Sequence, residues 1–272
     1  TSGGATSTGE GSAKRPQRAA SAVAASVGGV FSSDGEAGNM RGARDGATYY
    51  VDGVRVIGSA TVPQSAIDQV EVLLSGLPAM YGDATGGIIN MTTKGPSRTF
   101  GAGIELETSE LLDGYGHSRA GLNVQGPLIK GKESETALLG FFLSGEVSYN
   151  RDGALSAVGH YKATDEWLEY IKKNPIRVSG TGSGTYLNAE YTRMSSMEYM
   201  KNSRNTSGWS ANFAGNINVR TTETINLTFG GTFNLSKYHS YSLGHAYFNS
   251  DKNAINKDQT WRVYGRFTQR FP

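Results

Sequence analysis

Four histidines, His117, His160, His239 and His245, are the side chains best able to bind a metal or move a proton near neutral pH. None stands in a metal-ligand spacing with carboxylates such as H-E-x-x-H, so no zinc-hydrolase pattern is present. All fall in or beside the stretches between strand-like runs, where a solvated imidazole is the ordinary outcome. Serine and threonine are plentiful, but no G-x-S-x-G elbow joins a strand to a helix. Gly101-Ala102-Gly103-Ile104 opens like a phosphate loop, yet it lacks a third glycine and lies inside an alternating strand. With no cysteine, disulfides and thiolate metal sites are excluded. The residues contain no catalytic constellation; the expectation is a non-enzyme with no cofactor and no metal.

The charged residues are more informative by their periodicity. Glu105, Glu107, Arg119, Glu146, Arg262 and Arg266 all occupy the polar positions of alternating segments. In Trp209–Val219 one face carries Trp209, Ala211, Phe213, Gly215, Ile217 and Val219, and the other Ser210, Asn212, Ala214, Asn216 and Asn218. Ile225–Leu235 and Trp261–Phe271 repeat the pattern, the latter with Arg262, Arg266 and Arg270 on the polar side. Less regular copies run over 99–108, 118–126 and 136–149.

Alternation alone suits any half-buried strand, including those of a soluble sandwich. Two features favour a membrane barrel. The runs reach about ten residues, which suits a tilted membrane crossing and exceeds the usual five or six. The connections also alternate between tight turns (130–134 and 221–224) and long excursions, the longest over 151–206. Short turns on one side and long loops on the other are the habit of outer-membrane barrels. The expected fold is therefore an antiparallel membrane β-barrel whose first six strands fill 97–272. Charge would then point into the lumen, since an arginine or lysine facing mid-membrane lipid costs about 2–4 kcal/mol. No apolar run reaches the roughly 18–20 residues of a spanning helix, and a net charge of +2 offers no basic face for nucleic acid.

Ahead of the barrel, residues 1–16 are small, polar and glycine-rich and read as a flexible or loosely pinned arm. Gln17–Val27 is alanine-rich enough for a short helix ending at Gly28-Gly29. Thr48–Val56 reads as two strands around Asp52-Gly53, a strong hairpin dipeptide. Val70–Leu74 and Ile88–Met91 are further strand-like runs, and the whole of 17–96 reads as a small α/β domain. No signal peptide is visible, so the chain is expected to be an internal or processed piece of a longer polypeptide.

Within that domain Ile67, Asp68, Val70, Glu71, Val72, Tyr81, Gly82, Ala84, Gly86, Gly87, Ile88, Asn90, Thr93 and Lys94 form a string similar to the end of the plug of TonB-dependent outer-membrane receptors, I-E-x-V-E-V…Y-G…A-x-G-G-x-I-N-x-x-T-K. Met40-Arg41-Gly42 is similar to that family's I-R-G. The resemblance implies a plug inside a barrel of about 22 strands, with Arg41, Gly42, Asp52, Gly53, Glu71, Tyr81, Gly82, Gly86, Gly87 and Asn90 in the plug motif. Leu74 stands where the family has an arginine, so that arginine's contact cannot be made here. Leu77–Gly87 resembles receptor-like proteins common in Bacteroidetes and differs from the SusC type.

The resemblance further implies import of a scarce ligand, with no covalent chemistry, powered by an energising periplasmic TonB-type partner. Its expected surroundings are outer-membrane lipid of a Gram-negative cell and a surface lipoprotein or other outer-membrane complex subunits. Arg41, Asp68 and Glu71 on the plug side, and Glu105, Glu107, Arg119, Arg262 and Arg266 on the barrel side, are the candidate plug–barrel contacts. Trp167, Tyr170, Tyr186, Tyr191 and Met197 are the candidate extracellular contact surface. The rival readings are a docking subunit of an outer-membrane assembly or secretion complex and an unrelated soluble β-protein.

Overall fold

The computed structural model describes residues 4–8, 20–25, 30–33, 36–40, 47–56, 61–74, 81, 86–130, 137–182, 184–222 and 224–271. The amino-terminal unit holds β1 (Gly4–Thr8), α1 (Ala20–Ala25), β2 (Val30–Ser33), β3 (Glu36–Met40), β4 (Thr48–Val51), β5 (Val54–Val56), β6 (Ile67–Leu73) and β7 (Ile88–Thr93). Five of these strands make one sheet in the order β1-β6-β7-β4-β5, with β4 and β7 parallel and the other neighbours antiparallel.

Asp52 and Gly53 turn the β4–β5 hairpin with φ of 52° and 78°. Consecutive positive φ values match the right-handed twist of the flanking strands, and an Asp-Gly pair tolerates them. In β6 the buried Ile67, Val70 and Val72 fit a strand with one face in the core. Strand β7 lies between two partners and buries Ile88, Ile89 and Met91 fully, covering both of its faces.

Within the expected arm over 1–16, Gly4–Thr8 pair antiparallel with Gln69–Leu73 along the sheet edge. The outer edge of β6 has backbone groups that need partners, and the backbone of β1 supplies them.

The second sheet is antiparallel throughout and runs β17-β16-β15-β10-β9-β8. Its strands in chain order are β8 (Gly101–Thr108), β9 (His117–Lys130), β10 (Ala137–Asn150), β15 (Gly208–Arg220), β16 (Ile225–His239) and β17 (Ile255–Gln269). The last five are 13–15 residues long. Between β10 and β15 a folded excursion contains β11 (His160–Ala163), α2 (Asp165–Lys173), β12 (Ile176–Val178), β13 (Thr185–Leu187) and β14 (Met197–Met200). Among the described residues no helix is long and apolar enough to cross a membrane.

The long sheet has two chemically different faces. Leu106, Leu143, Val147, Phe213, Ile217, Phe229, Trp261, Val263 and Phe267 point away from the small unit and are exposed. Arg119, Ser144, Glu146, Asn212 and Asn216 occupy the opposite positions and are buried beneath it. Phe142 breaks the rule: it sits on the inner face, is fully buried, and joins the core of the small unit with Val23, Val51, Ala66, Val70 and Ala214. The two sheets therefore share one apolar core.

Candidate functional site

The interface between the two sheets concentrates the polar contacts. At its centre is the Asp52-Gly53 turn. The Asp52 carboxylate accepts from Thr93 N at 2.8 Å and Thr93 Oγ1 at 2.9 Å, both inside the small unit. Its Oδ2 also accepts from Tyr264 Oη on β17 at 3.0 Å. Two positions away on either side of Tyr264, β17 presents an arginine to the same turn. Arg262 donates to the Val51 carbonyl at 3.2 Å, and Arg266 donates to the Asp52 carbonyl. Alternation puts 262, 264 and 266 on one face of the strand, so three donors converge on one tight turn.

A second grip lies over β10. Gln64 N donates to Glu146 Oε2 at 3.3 Å, and the hydroxyls of Ser65 and Ser144 meet at 2.7 Å. Glu146 is held by Arg119 at 2.9 Å, and Arg119 also pairs with Glu107 at 2.7 Å and Glu105 at 3.6 Å. This single buried guanidinium thus orders three carboxylates on the wall, one of which reaches the small unit.

Two asparagines complete the interface. Asn216 Nδ2 donates to the Lys94 carbonyl and Asn234 Nδ2 to the Thr61 carbonyl, each at 2.9 Å. The chain then leaves the small unit across β10 at Gly140, where an added Cβ would stand 2.6 Å from Pro96 Cβ. Only a residue without a side chain lets the linker lie this close to the strand.

The expected contact residues divide as follows. Arg262 and Arg266 touch the small unit, but through backbone carbonyls, not through carboxylates. Glu105, Glu107 and Arg119 form their cluster within the wall, and it reaches the small unit through Glu146. Asp68 is exposed and Glu71 half-buried on β6, and no bond to the long sheet is found for either among the described residues. Arg41, Gly42 and Gly82 lie outside the described residues. Tyr81 is buried edge-on to Tyr50, ring centroids 4.8 Å apart, in a small cluster with Ile88. Gly86 is buried, Gly87 takes φ +121°, and Asn90 lies mid-strand between Tyr50 and Glu71. Leu74, the departure from the arginine pattern, packs against the small unit's core. Tyr264, Asn216, Asn234, Ser144 and Gln64 are contacts that sequence reasoning misses; for the first four the only signal is an inward position on an alternating strand.

The expected contact surface folds as a unit over the far end of the sheet. Thr164 caps α2 by accepting from Trp167 N, and Asp165, Glu166, Lys172 and Lys173 match the helix dipole. Trp167 stacks on Tyr170 with centroids 5.2 Å apart and donates from Nε1 to Thr192 Oγ1 at 2.8 Å. Across the β12–β13 hairpin the Arg177 guanidinium lies 5.8 Å from Tyr186 and 5.2 Å from Tyr191. Met197 is half-buried at the start of β14, away from that hairpin's pairing. The five residues are therefore distributed over separate elements of one excursion. At its base, the buried Asp152 accepts from Ser203 N at 2.9 Å and Ala154 N at 2.8 Å and from the Ser203 hydroxyl. Burial pushes its carboxyl up, but these donors outweigh that and hold it below the ordinary aspartate value. Asn205 and Asn253 tie this base to the 240–254 connection.

Geometrically, the interface can hold one sheet against another by many reversible bonds. No protein-family model matches the chain. A segment of 72 residues, 25% of the chain, is 42% identical to the probable TonB-dependent siderophore receptor PirA of Acinetobacter baumannii and covers 10% of that protein. The siderophore receptor PirA from Pseudomonas aeruginosa superposes on 87% of the chain with a TM-score of 0.54 at 19% identity. Pyoverdine-bound FpvA of P. aeruginosa superposes on 99% with a TM-score of 0.62 at 14% identity. The chain spans about a third of the length of these solved relatives, 34% and 32% respectively. The fold of this chain is that of the matching portion of siderophore-receptor barrels, a mostly antiparallel sheet with no helical span among the described residues.

Proposed function

We propose that this chain belongs to a TonB-dependent receptor in the outer membrane of a Gram-negative bacterium, importing a scarce ligand of the ferric-siderophore class. The segment similar to PirA and the fold shared with siderophore receptors support the class. In this reading residues 17–96 are the plug, extended by β1, and 97–272 are the opening six strands of a barrel of about 22. The exposed apolar face meets lipid, the inner face meets the plug, and the 151–206 excursion is extracellular. The resemblance around Leu77–Gly87 supports a receptor outside the SusC type.

The observation that carries this proposal is the grip of β10, β15, β16 and β17 on the small sheet by hydrogen bonds, most of them to backbone carbonyls. Such bonds are individually worth about 0.5–1.5 kcal/mol net, more to charged groups, so they hold the plug collectively yet can be broken singly. A periplasmic TonB-type protein pulling on the amino-terminal side would break them in sequence and open a path along the polar inner face. Ligand caught by the aromatic residues outside would pass with its bonds unchanged. A surface lipoprotein is a further expected companion.

The test is uptake of radiolabelled iron on a panel of siderophores by a receptor-deleted host carrying the full-length gene, with and without an intact TonB system. Uptake that requires both the gene and TonB is the expected result. Binding or assembly phenotypes with no energy-dependent uptake of any chelate or other small ligand would overturn import.

A further inference from the structure

On the outward face of the long sheet, at the end nearest the excursion, Lys237 of β16 and Lys257 of β17 stand directly opposite each other. Trp209 of β15 completes the same cross-strand row beside Lys237. Like charges in that relation destabilise a sheet. Among the described residues neither ammonium has a hydrogen bond or an ion pair. Six positions before Lys237 on β16, Gly231 pairs with Gly215. The two missing side chains open a trough of about 560 Å³ between Leu143 and Val263. Phe213, Phe233 and Trp261 form the row that borders the trough on the lysine side.

Each of these parts matches one half of an anionic lipid. A lysine ammonium binds phosphate as a point charge with three donors, and an indole suits the zone between headgroup and hydrocarbon. The spacing agrees as well. Six residues of strand span about 20 Å, and a tilt of about 40° reduces the depth to about 15 Å. That is half of a hydrocarbon core roughly 30 Å thick, so lysines at headgroup level put the trough where an acyl chain ends. We propose that Lys237, Lys257 and the Gly215–Gly231 trough form one seat for an anionic phospholipid. Its phosphate lies between the two lysines, and one acyl chain runs past Phe233 into the trough. The lipid offsets the repulsion within the lysine pair and packs the gap that the glycines leave. This seat rests on the reading of the exposed face as lipid-facing, and adds to it one lipid class at one place.

The test uses the full-length protein, delipidated in mild detergent, with native mass spectrometry counting the lipids bound. Dimyristoyl phosphatidylglycerol is titrated beside dimyristoyl phosphatidylcholine, dihexanoyl phosphatidylglycerol and sodium phosphate. Saturable retention of the long-chain phosphatidylglycerol in preference to the other three is expected. Lys237→Gln and Lys257→Gln should each weaken it about fivefold, the worth of one cation beside an anionic headgroup. Val263 is exposed at the trough's border, so Val263→Trp fills the trough from outside. That variant should weaken the long-chain lipid and leave the short-chain one unchanged. Phosphatidylcholine bound as tightly as phosphatidylglycerol, or lysine variants that bind like the parent, overturns the seat. Equal binding of the short-chain lipid or of phosphate overturns it in favour of a free anion, and a dimer lost in the lysine variants gives the face to a second copy. Fractionation of the cells reads the lipid-facing assignment separately. Protein recovered in the outer membrane without the lipid preference overturns the seat alone, whereas protein soluble without detergent overturns both.

Discussion

Tyr264 donates its phenolic proton to Asp52 at 3.0 Å, joining β17 to a turn 212 residues earlier in the chain. The aspartate is already fixed by Thr93 within its own sheet, so the tyrosine meets an acceptor that cannot swing away. The Tyr264 ring in turn lies against Gly230 of the neighbouring strand, where an added Cβ would sit 2.6 Å from it.

Tyr264→Phe should therefore weaken the hold between the two sheets by about 1 kcal/mol, the usual net value of one hydrogen bond. Asp52→Ala should cost about 2 kcal/mol or more, because it strips several donors of their acceptor at once. Gly230→Ala should resemble the tyrosine change, by displacing the ring. The urea concentration at which reconstituted receptor begins to conduct ions reads plug release directly. An unchanged threshold in Tyr264→Phe would mean the bond contributes nothing to the hold.

The Arg119 cluster makes a different demand. Removing the cation leaves the buried Glu146 without its partner, beside the more exposed Glu105 and Glu107. Arg119→Leu should destabilise the folded barrel by about 3–5 kcal/mol, the cost of orphaning a buried charge. Glu105→Gln, at the longest of the three pairs, should cost far less. Thermal unfolding followed by the electrophoretic mobility of the barrel separates the two.

Phe142 and Leu143 are adjacent but face opposite surroundings. Phe142→Ala opens a cavity in the shared core and should cost about 3–5 kcal/mol. Leu143→Arg should instead impair membrane assembly, by about 2–4 kcal/mol at mid-bilayer, while leaving plug packing intact. Folding yield into lipid vesicles, measured beside protease resistance of the plug, distinguishes the outcomes. Equal tolerance of arginine at 143 and at an inner position would contradict the assigned lipid face.

Acid should loosen the 151–206 excursion at its base. The folded Asp152 carboxyl titrates below its unfolded value, so its contribution to stability is complete above the ordinary aspartate range. That contribution falls away as pH drops below that range and through the depressed folded value. Amide exchange in 151–206 should therefore quicken on acidification below about pH 4, and Asp152→Asn should be fast already at neutral pH. No difference between parent and variant at pH 7 would remove Asp152 from the anchor.

Much of this architecture is legible in the alternation of single strands. The faces of 209–219, 225–235 and 261–271 are those observed, and Asp52-Gly53 turns as its residue types require. Strand β1 is not legible, because Gly-Ala-Thr-Ser-Thr carries no apolar alternation and its extended pairing is with the edge of β6. Alternation puts Phe142 on the inner face with Ser144 and Glu146, but its entry into the shared core depends on the small unit packed over it. For Arg262 and Arg266 the expected acceptors are carboxylates. Charges are visible in a sequence, whereas the carbonyls that receive them depend on the path of the backbone.

That choice of acceptor shapes how the protein can vary. Val51, Asp52, Thr61 and Lys94 offer their main-chain oxygens to the wall, and every residue type carries that atom. Apart from Asp52, whose carboxylate is itself an acceptor, and Gly53, whose backbone takes positive φ, these positions can exchange side chains provided the path of the chain is kept. A small unit of different side chains but the same backbone path would find the same four handholds, so the two sheets are free to diverge at different speeds.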